Sequence, residues 1–272
     1  MTTEILLDAP RGRYRATNVA RAELSKIATL RSTAITAGIA VVACLLVTGL
    51  VSHAALHHLP GWYQGFDPTQ ESLTGMITVA LAGGVLGAML VTGEYASGTI
   101  RTTLAAAPRR PMLFAVKLAV TAVLTFVFCE VLSFASFYLG QVILSGGHAP
   151  HATLASSGAF RAVTMTGLVI ALLTLMSFGF GMIFRSTAAA IAAFVGVVFV
   201  LPLVIHGISE AAVKYLPTNI LTQSVMATVP QAPPGGGDPN MPLAPGVGLG
   251  LMVVYAAVAV AVGAVLFARR DA

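Results

Sequence analysis

Glu130 stands alone as an acidic residue inside a long apolar run, 112–144. A carboxylate at the centre of a bilayer costs about 2.5–3.5 kcal/mol on insertion scales, so it must face protein or water, or carry a proton. Three roles fit: lining a substrate path, bonding a neighbouring helix, or sitting nearer the surface than the run implies. No charged partner stands in the other apolar runs. The six histidines form a second group: His53, His57 and His58 in HAALHH, His148 and His151 in HAPH, and His206. His53 and His57 are four apart and share a metal if that segment stays helical. The alternative is a set of interfacial side chains with no ligand. No cysteine or carboxylate completes a ligand set, and no metal site is assigned. A third group is the polar, basic island 93–111, GEYASGTIRTTLAAAPRRP, between two apolar runs.

Several kinds of chemistry are missing. Lys26, Lys117 and Lys214 are followed by Ile27, Leu118 and Tyr215, so none completes the GxxxxGK[ST] loop that cradles nucleotide phosphates. HExxH and GxSxG are absent as well. The chain is therefore expected to be no enzyme and to hold no cofactor. Any ATP hydrolysis has to come from another chain. Cys44 and Cys129 fall within apolar runs and read as small packing residues.

The elements that position these groups follow from composition. Of the 272 residues 57% are hydrophobic and 9% charged, against about 25% charged in a soluble domain. Apolar runs at about 34–51, 73–91, 112–144, 162–184, 187–206 and 247–267 are long enough to cross a membrane. The expected fold is an all-α polytopic membrane protein: a tail over 1–17 and one six-helix domain over 18–272. Some thirty polar residues precede the first run, which is thus not a cleaved signal peptide. With the N-terminus inside, thirteen of the fifteen Lys and Arg fall on the inner side and only Arg161 and Lys214 on the outer. That asymmetry places both termini in the cytoplasm. Topology and lipid headgroups account for the +5 charge, without nucleic acid as a partner.

Within this frame, 18–32 has a rough amphipathic pattern and either lies along the inner membrane surface or extends the first helix. Lys117 is expected to snorkel to headgroups. Gly83 and Gly87, like Ala80, Gly84 and Ala88, are spaced by four and allow close helix approach, within the chain or across a dimer seam. The outer segment 207–245 begins as a short helical pair and continues as a turn-rich loop. In the island, Gly98 permits a reversal, Pro108 and Pro111 restrict the approach to the next helix, and Ile100 and Leu104 are i,i+4. A short amphipathic helix results, resting on lipid or docking into a partner.

This segment resembles that of the permease subunits of type 2 ABC exporters, in particular a group common in actinobacteria. The residues that carry the likeness are Glu94, Gly98, Thr99, Ile100, Arg101, Leu104, Pro108, Arg110 and Lys117. AELSKIATLRST, 22–33, is similar to the family's approach to helix one, and KYLPTN, 214–219, to its outer segment between helices five and six. The resemblance implies a subunit of a bacterial cytoplasmic membrane that pairs with a second permease, as homodimer or heterodimer. Two separate ATPase subunits would bind ATP and magnesium. The segment 93–111 would then be a coupling helix, in which Glu94, Gly98, Thr99, Ile100, Arg101, Leu104, Pro108, Arg109 and Arg110 contact the ATPase. Glu130 is the candidate for the transport path. Competing readings are a membrane scaffold or sensor, and an ion-coupled transporter working through Glu130. The chain departs from the pattern at Ala105, Ala106 and Ala107, which offer no bulky anchors.

Overall fold

A backbone surrounded by hydrocarbon must satisfy its N–H and C=O groups within each spanning segment, so every apolar run is a helix. The computed structural model describes residues 16–57, 65–99, 110–228 and 241–269. In chain order these form α1 (Ala16–Thr29), α2 (Arg31–Ala55), α3 (Pro68–Leu73), α4 (Met76–Ala96), α5 (Arg110–Gly146) and α6 (Ala159–Phe184). Then come α7 (Thr187–Val195), a π-helical turn (Gly196–Val200), α8 (Leu201–His206), α9 (Glu210–Val213), α10 (Pro217–Ser224) and α11 (Pro245–Arg269). There is no strand among the described residues. Six stretches are long and apolar enough to cross a membrane: α2, α3 with α4, α5, α6, α7 through α8, and α11. The fold is the expected all-α six-helix membrane architecture.

α6 is the hub, packed against α4, α5, α7, α10 and α11. Its most apolar window is 67% buried, against 17% for α2, so α6 forms the core while α2 presents most of its apolar surface outward. Small residues make the tightest seam possible. A Cβ on Gly87 would stand 2.2 Å from the Thr174 carbonyl oxygen of α6, and one on Gly84 would strike the Phe194 ring of α7. The glycines of the second span therefore serve packing within the chain.

Alternation of the spans gathers Arg31, Lys117, Arg185 and Arg269 at one end, called here the basic end. His53, His148 and His206 lie at the other, the histidine end, together with Arg161. α1 is a separate helix at the basic end. Leu30 breaks it from α2 with φ −74° and ψ 107°, so α1 does not extend the first span. It instead packs against α5.

Two spans are irregular, and residues account for both. The second begins with α3, five residues before the expected start at 73, because PTQESL is too polar for its helix to register as an apolar run. Asp67 caps it, accepting from the Thr69 and Gln70 N–H groups at 2.9 and 3.2 Å. At the junction with α4, Gly75 lies so close to α2 that a Cβ would be 2.2 Å from the Cys44 carbonyl oxygen. The fifth span contains Pro202, which lacks the N–H that would bond the carbonyl of Val198, four residues earlier. The ladder widens there to a π-turn, and the Thr218 hydroxyl of α10 donates to that orphaned carbonyl. KYLPTN thus supplies the cap that repairs the fifth span.

α5 has 37 residues and at 1.5 Å per residue runs about 55 Å, well beyond a hydrocarbon core of about 30 Å. It is therefore too long to cross that core upright, and Pro111, in its first turn, occupies a position that needs no N–H partner.

Candidate functional site

The groups that could do chemistry converge at the basic end, where four charged side chains from three helices form one cluster. Lys117 of α5 donates to Glu23 of α1 at 2.8 Å and also to Glu94 of α4. Lys26 of α1 donates to the same Glu94 carboxylate. The side chains of Lys117, Glu23 and Glu94 are 7%, 7% and 4% exposed, so three of the four charges are effectively out of water; Lys26, at 34%, forms the rim. Unpaired, any one of them would carry a desolvation cost of several kcal/mol. Paired, they bind α1, α4 and α5 into one unit.

This arrangement corrects the expectation for Lys117. Its ammonium turns inward to two carboxylates and does not reach headgroups. Glu23 and Lys26, which appear in sequence as the polar face of an amphipathic helix, lie one helical turn apart and meet Lys117 and Glu94 respectively. α1 therefore covers the bundle with its polar face inward, and Leu24 and Leu30 are 44% and 42% exposed. The available signal was charge balance: a glutamate and a lysine bracket the island, and a second such pair precedes the first span.

Beside the cluster is a cavity of about 310 Å³. Ile27, Leu30, Met89 and Leu90 supply its apolar wall, while Lys26, Ser97 and Thr99 bring polar groups to it. Around it, Thr92 and Thr187 share a hydrogen bond of 2.7 Å that ties α4 to α7. The Arg185 guanidinium lies 5.2 Å from the centroid of the Tyr95 ring.

The island leaves this cluster directly. Glu94 is in the last turn of α4 and Gly98 adopts φ +69°, the left-handed conformation that a glycine permits and that turns the chain off the helix. Thr99 follows, its hydroxyl 2.9 Å from that of Ser97. Ile100, Arg101, Leu104, Pro108 and Arg109 lie outside the described residues, and Arg110 opens α5. Glu94 and Lys117, which bracket the segment, are thus bonded to each other at its base. Glu94 faces inward, bonded to Lys26 and Lys117.

Glu130 is not in this cluster. It is 13 residues further along α5 than Lys117, about 20 Å toward the histidine end. It is half-buried against α6, where a Cβ on Gly167 would be 2.8 Å from its carboxylate carbon. Among the described residues no ion pair involves it.

The histidine end has its own polar lattice. Ser136 and Thr48 both donate to the Ser72 carbonyl, at 2.7 and 3.3 Å, where α3 gives way to α4. Gln141 donates to the Pro68 carbonyl at 2.9 Å and accepts from the Ala152 N–H. Asp67 also accepts from the Ala227 N–H at 2.7 Å, and Arg161 donates to the Met226 and Ala227 carbonyls at 2.9 and 2.8 Å. The segment after α10 is held from two sides. His53, in the last turn of α2, and His57, just past its end, are neighbours, and no group of three or more potential metal ligands occurs among the described residues. His58 lies outside them.

Six apolar helices, one of them a buried hub, closed at one end by an ion cluster, define an all-α polytopic membrane protein. The chain belongs to the family described as protein of unknown function (DUF2705), whose model matches residues 32–272. No curated protein matches it. Within the cluster, Glu94 and Lys117 fall inside the family match, while Glu23 and Lys26 precede it.

Proposed function

We propose that this chain is the permease subunit of an ATP-driven exporter of a bacterial cytoplasmic membrane. It pairs with a second permease and is driven by separate ATPase subunits at its basic end, which faces the cytoplasm. The observation that carries this reading is the pairing of Glu94 with Lys117 at the base of the segment 98–111. A force applied to that segment reaches α4 and α5 at their shared ion cluster, and through Glu23 and Lys26 it reaches α1 as well. The segment is a lever with a stiff root. Its likeness to the coupling segment of type 2 exporters supplies the kind of partner that would push it, and the missing phosphate-binding loop supplies the need for one.

In this mechanism ATP-dependent closure of the ATPases moves the two levers together and shifts the permease pair between inward-open and outward-open states. The chain performs no catalysis. Arg101 and Arg110 supply charge complementarity to the ATPase, and Glu94 and Lys117 transmit displacement.

The test is copurification with the ATPase and coupled transport by the Arg101→Glu, Arg110→Glu double variant. Membrane insertion should be normal while the ATPase is lost or ATP hydrolysis no longer drives transport. Undiminished copurification and transport would refute the assignment.

A further inference from the structure

We propose that Glu130 is a proton-binding site on the lipid side of α5, where its carboxyl carries a proton and meets the acyl chains of the bilayer. This needs only the membrane around the chain and is independent of the exporter reading. Three contacts on successive turns of α6 set the register of α5 against it: the Phe134 and Phe160 ring centroids are 6.4 Å apart, the Ser133 hydroxyl donates to the Val163 carbonyl at 2.7 Å, and Glu130 lies over Gly167. That register fixes its depth. The 26 residues of α6 run about 39 Å, so a hydrocarbon core of about 30 Å centred on them starts about three residues in, and Gly167 is the ninth.

The carboxyl lies at the outer surface of the bundle. Its neighbours on that surface of α5, Phe126, Val127 and Val131, are 43%, 52% and 64% exposed, and Glu130 itself is half-buried. On the inner side it fills the recess left by Gly167, where a Cβ would be 2.8 Å from both its carboxylate carbon and its Oε1.

Nothing in the chain stabilises its charge. Among the described residues no hydrogen bond or ion pair involves it. Beyond the basic end, the helices packed against α5 carry the titratable or charged side chains Cys44, His53, Glu71, Arg161 and Tyr255. The one fixed cation among them, Arg161, donates to the Met226 and Ala227 carbonyls. On α5 itself the Cys129 thiol is buried and Tyr138 is exposed two turns away. Acyl chains offer an ionised carboxylate no partner, whereas the protonated acid is neutral and loses far less on leaving water. The proton is therefore the ligand this site retains. A place on the lipid side also takes Glu130 off any aqueous transport path.

The test uses the full chain in phosphatidylcholine vesicles and two carbodiimides, lipid-soluble dicyclohexylcarbodiimide and a water-soluble, cationic analogue. A protonated acid adds across one C=N bond of the reagent: its oxygen bonds the central carbon, its proton passes to nitrogen, and rearrangement leaves a stable N-acylurea. Peptide mass mapping reads the adduct. The expected result is one dicyclohexyl adduct on Glu130, lost in Glu130→Gln, with none there from the water-soluble reagent. Because mapping assigns the adduct in the parent chain, the result does not depend on how well the variant folds. Labelling of Glu130 by the water-soluble reagent would mean that it faces water, and labelling by neither would mean that it is covered by protein or ionised. Either outcome overturns the site.

Discussion

Lys117 is buried with two carboxylates, and the consequence is a sharp difference between it and Lys26, which binds one of the same carboxylates from the rim. Lys117→Met should destabilise the protein by about 3–5 kcal/mol, since it strands Glu23 and leaves Glu94 with one partner. Lys26→Met should cost about 1 kcal/mol or less, because its charge is a third exposed and its loss leaves Glu94 bonded to Lys117. Thermal unfolding in detergent checks the pair, and equal losses would show that burial does not govern the cluster. Sequence could identify these as charged residues near membrane boundaries. It could not show which way they turn, because the pairing requires α1 to fold back over residues 68 and 94 positions distant. Lys117 in isolation has every feature of a snorkelling side chain. The His53–His57 spacing, in contrast, was readable directly, since four residues on a helix bring two rings together whatever the rest of the chain does.

At the scale of elements, the spans were legible because hydrocarbon allows few solutions. The run 187–206 and the observed Thr187–His206 coincide, and the third span exceeds its run by two residues at each end. The second span was half hidden. Hydropathy finds α4, while α3 is polar and is held by hydrogen bonds from α2 and α5 to Ser72 and Pro68, contacts that have no local signature. The π-turn in the fifth span was marked by Pro202, but the hydroxyl that completes it comes from Thr218, sixteen residues later. That repair can be measured. Thr218→Val should cost about 1–3 kcal/mol by leaving the buried Val198 carbonyl without a donor. The same change in a Pro202→Ala background should cost less, because Ala at 202 restores an N–H to that carbonyl, and the difference is read from a double-mutant cycle. A purely additive cycle would disconnect the two residues.

For the whole molecule, the two ends differ in what they are made of. The basic end is closed by four charges and leads into the segment 98–111, while the histidine end is closed by neutral hydrogen bonds together with Asp67 and Arg161 around residues 226–227. The proposed orientation puts the basic end in the cytoplasm. With Cys44 and Cys129 replaced, a cysteine at exposed Ser145 should react with a membrane-impermeant maleimide in intact cells, and one at exposed Ser97 only after lysis. The reverse pattern would invert the protein and remove the basic end from any cytoplasmic ATPase. One property of the ion cluster also bears on energetics across the membrane. Two lysines and two glutamates sum to zero formal charge, and a unit charge crossing 100 mV exchanges about 2.3 kcal/mol with the field. The cluster itself therefore carries no net charge, so displacing these four side chains together neither draws work from the membrane potential nor is opposed by it.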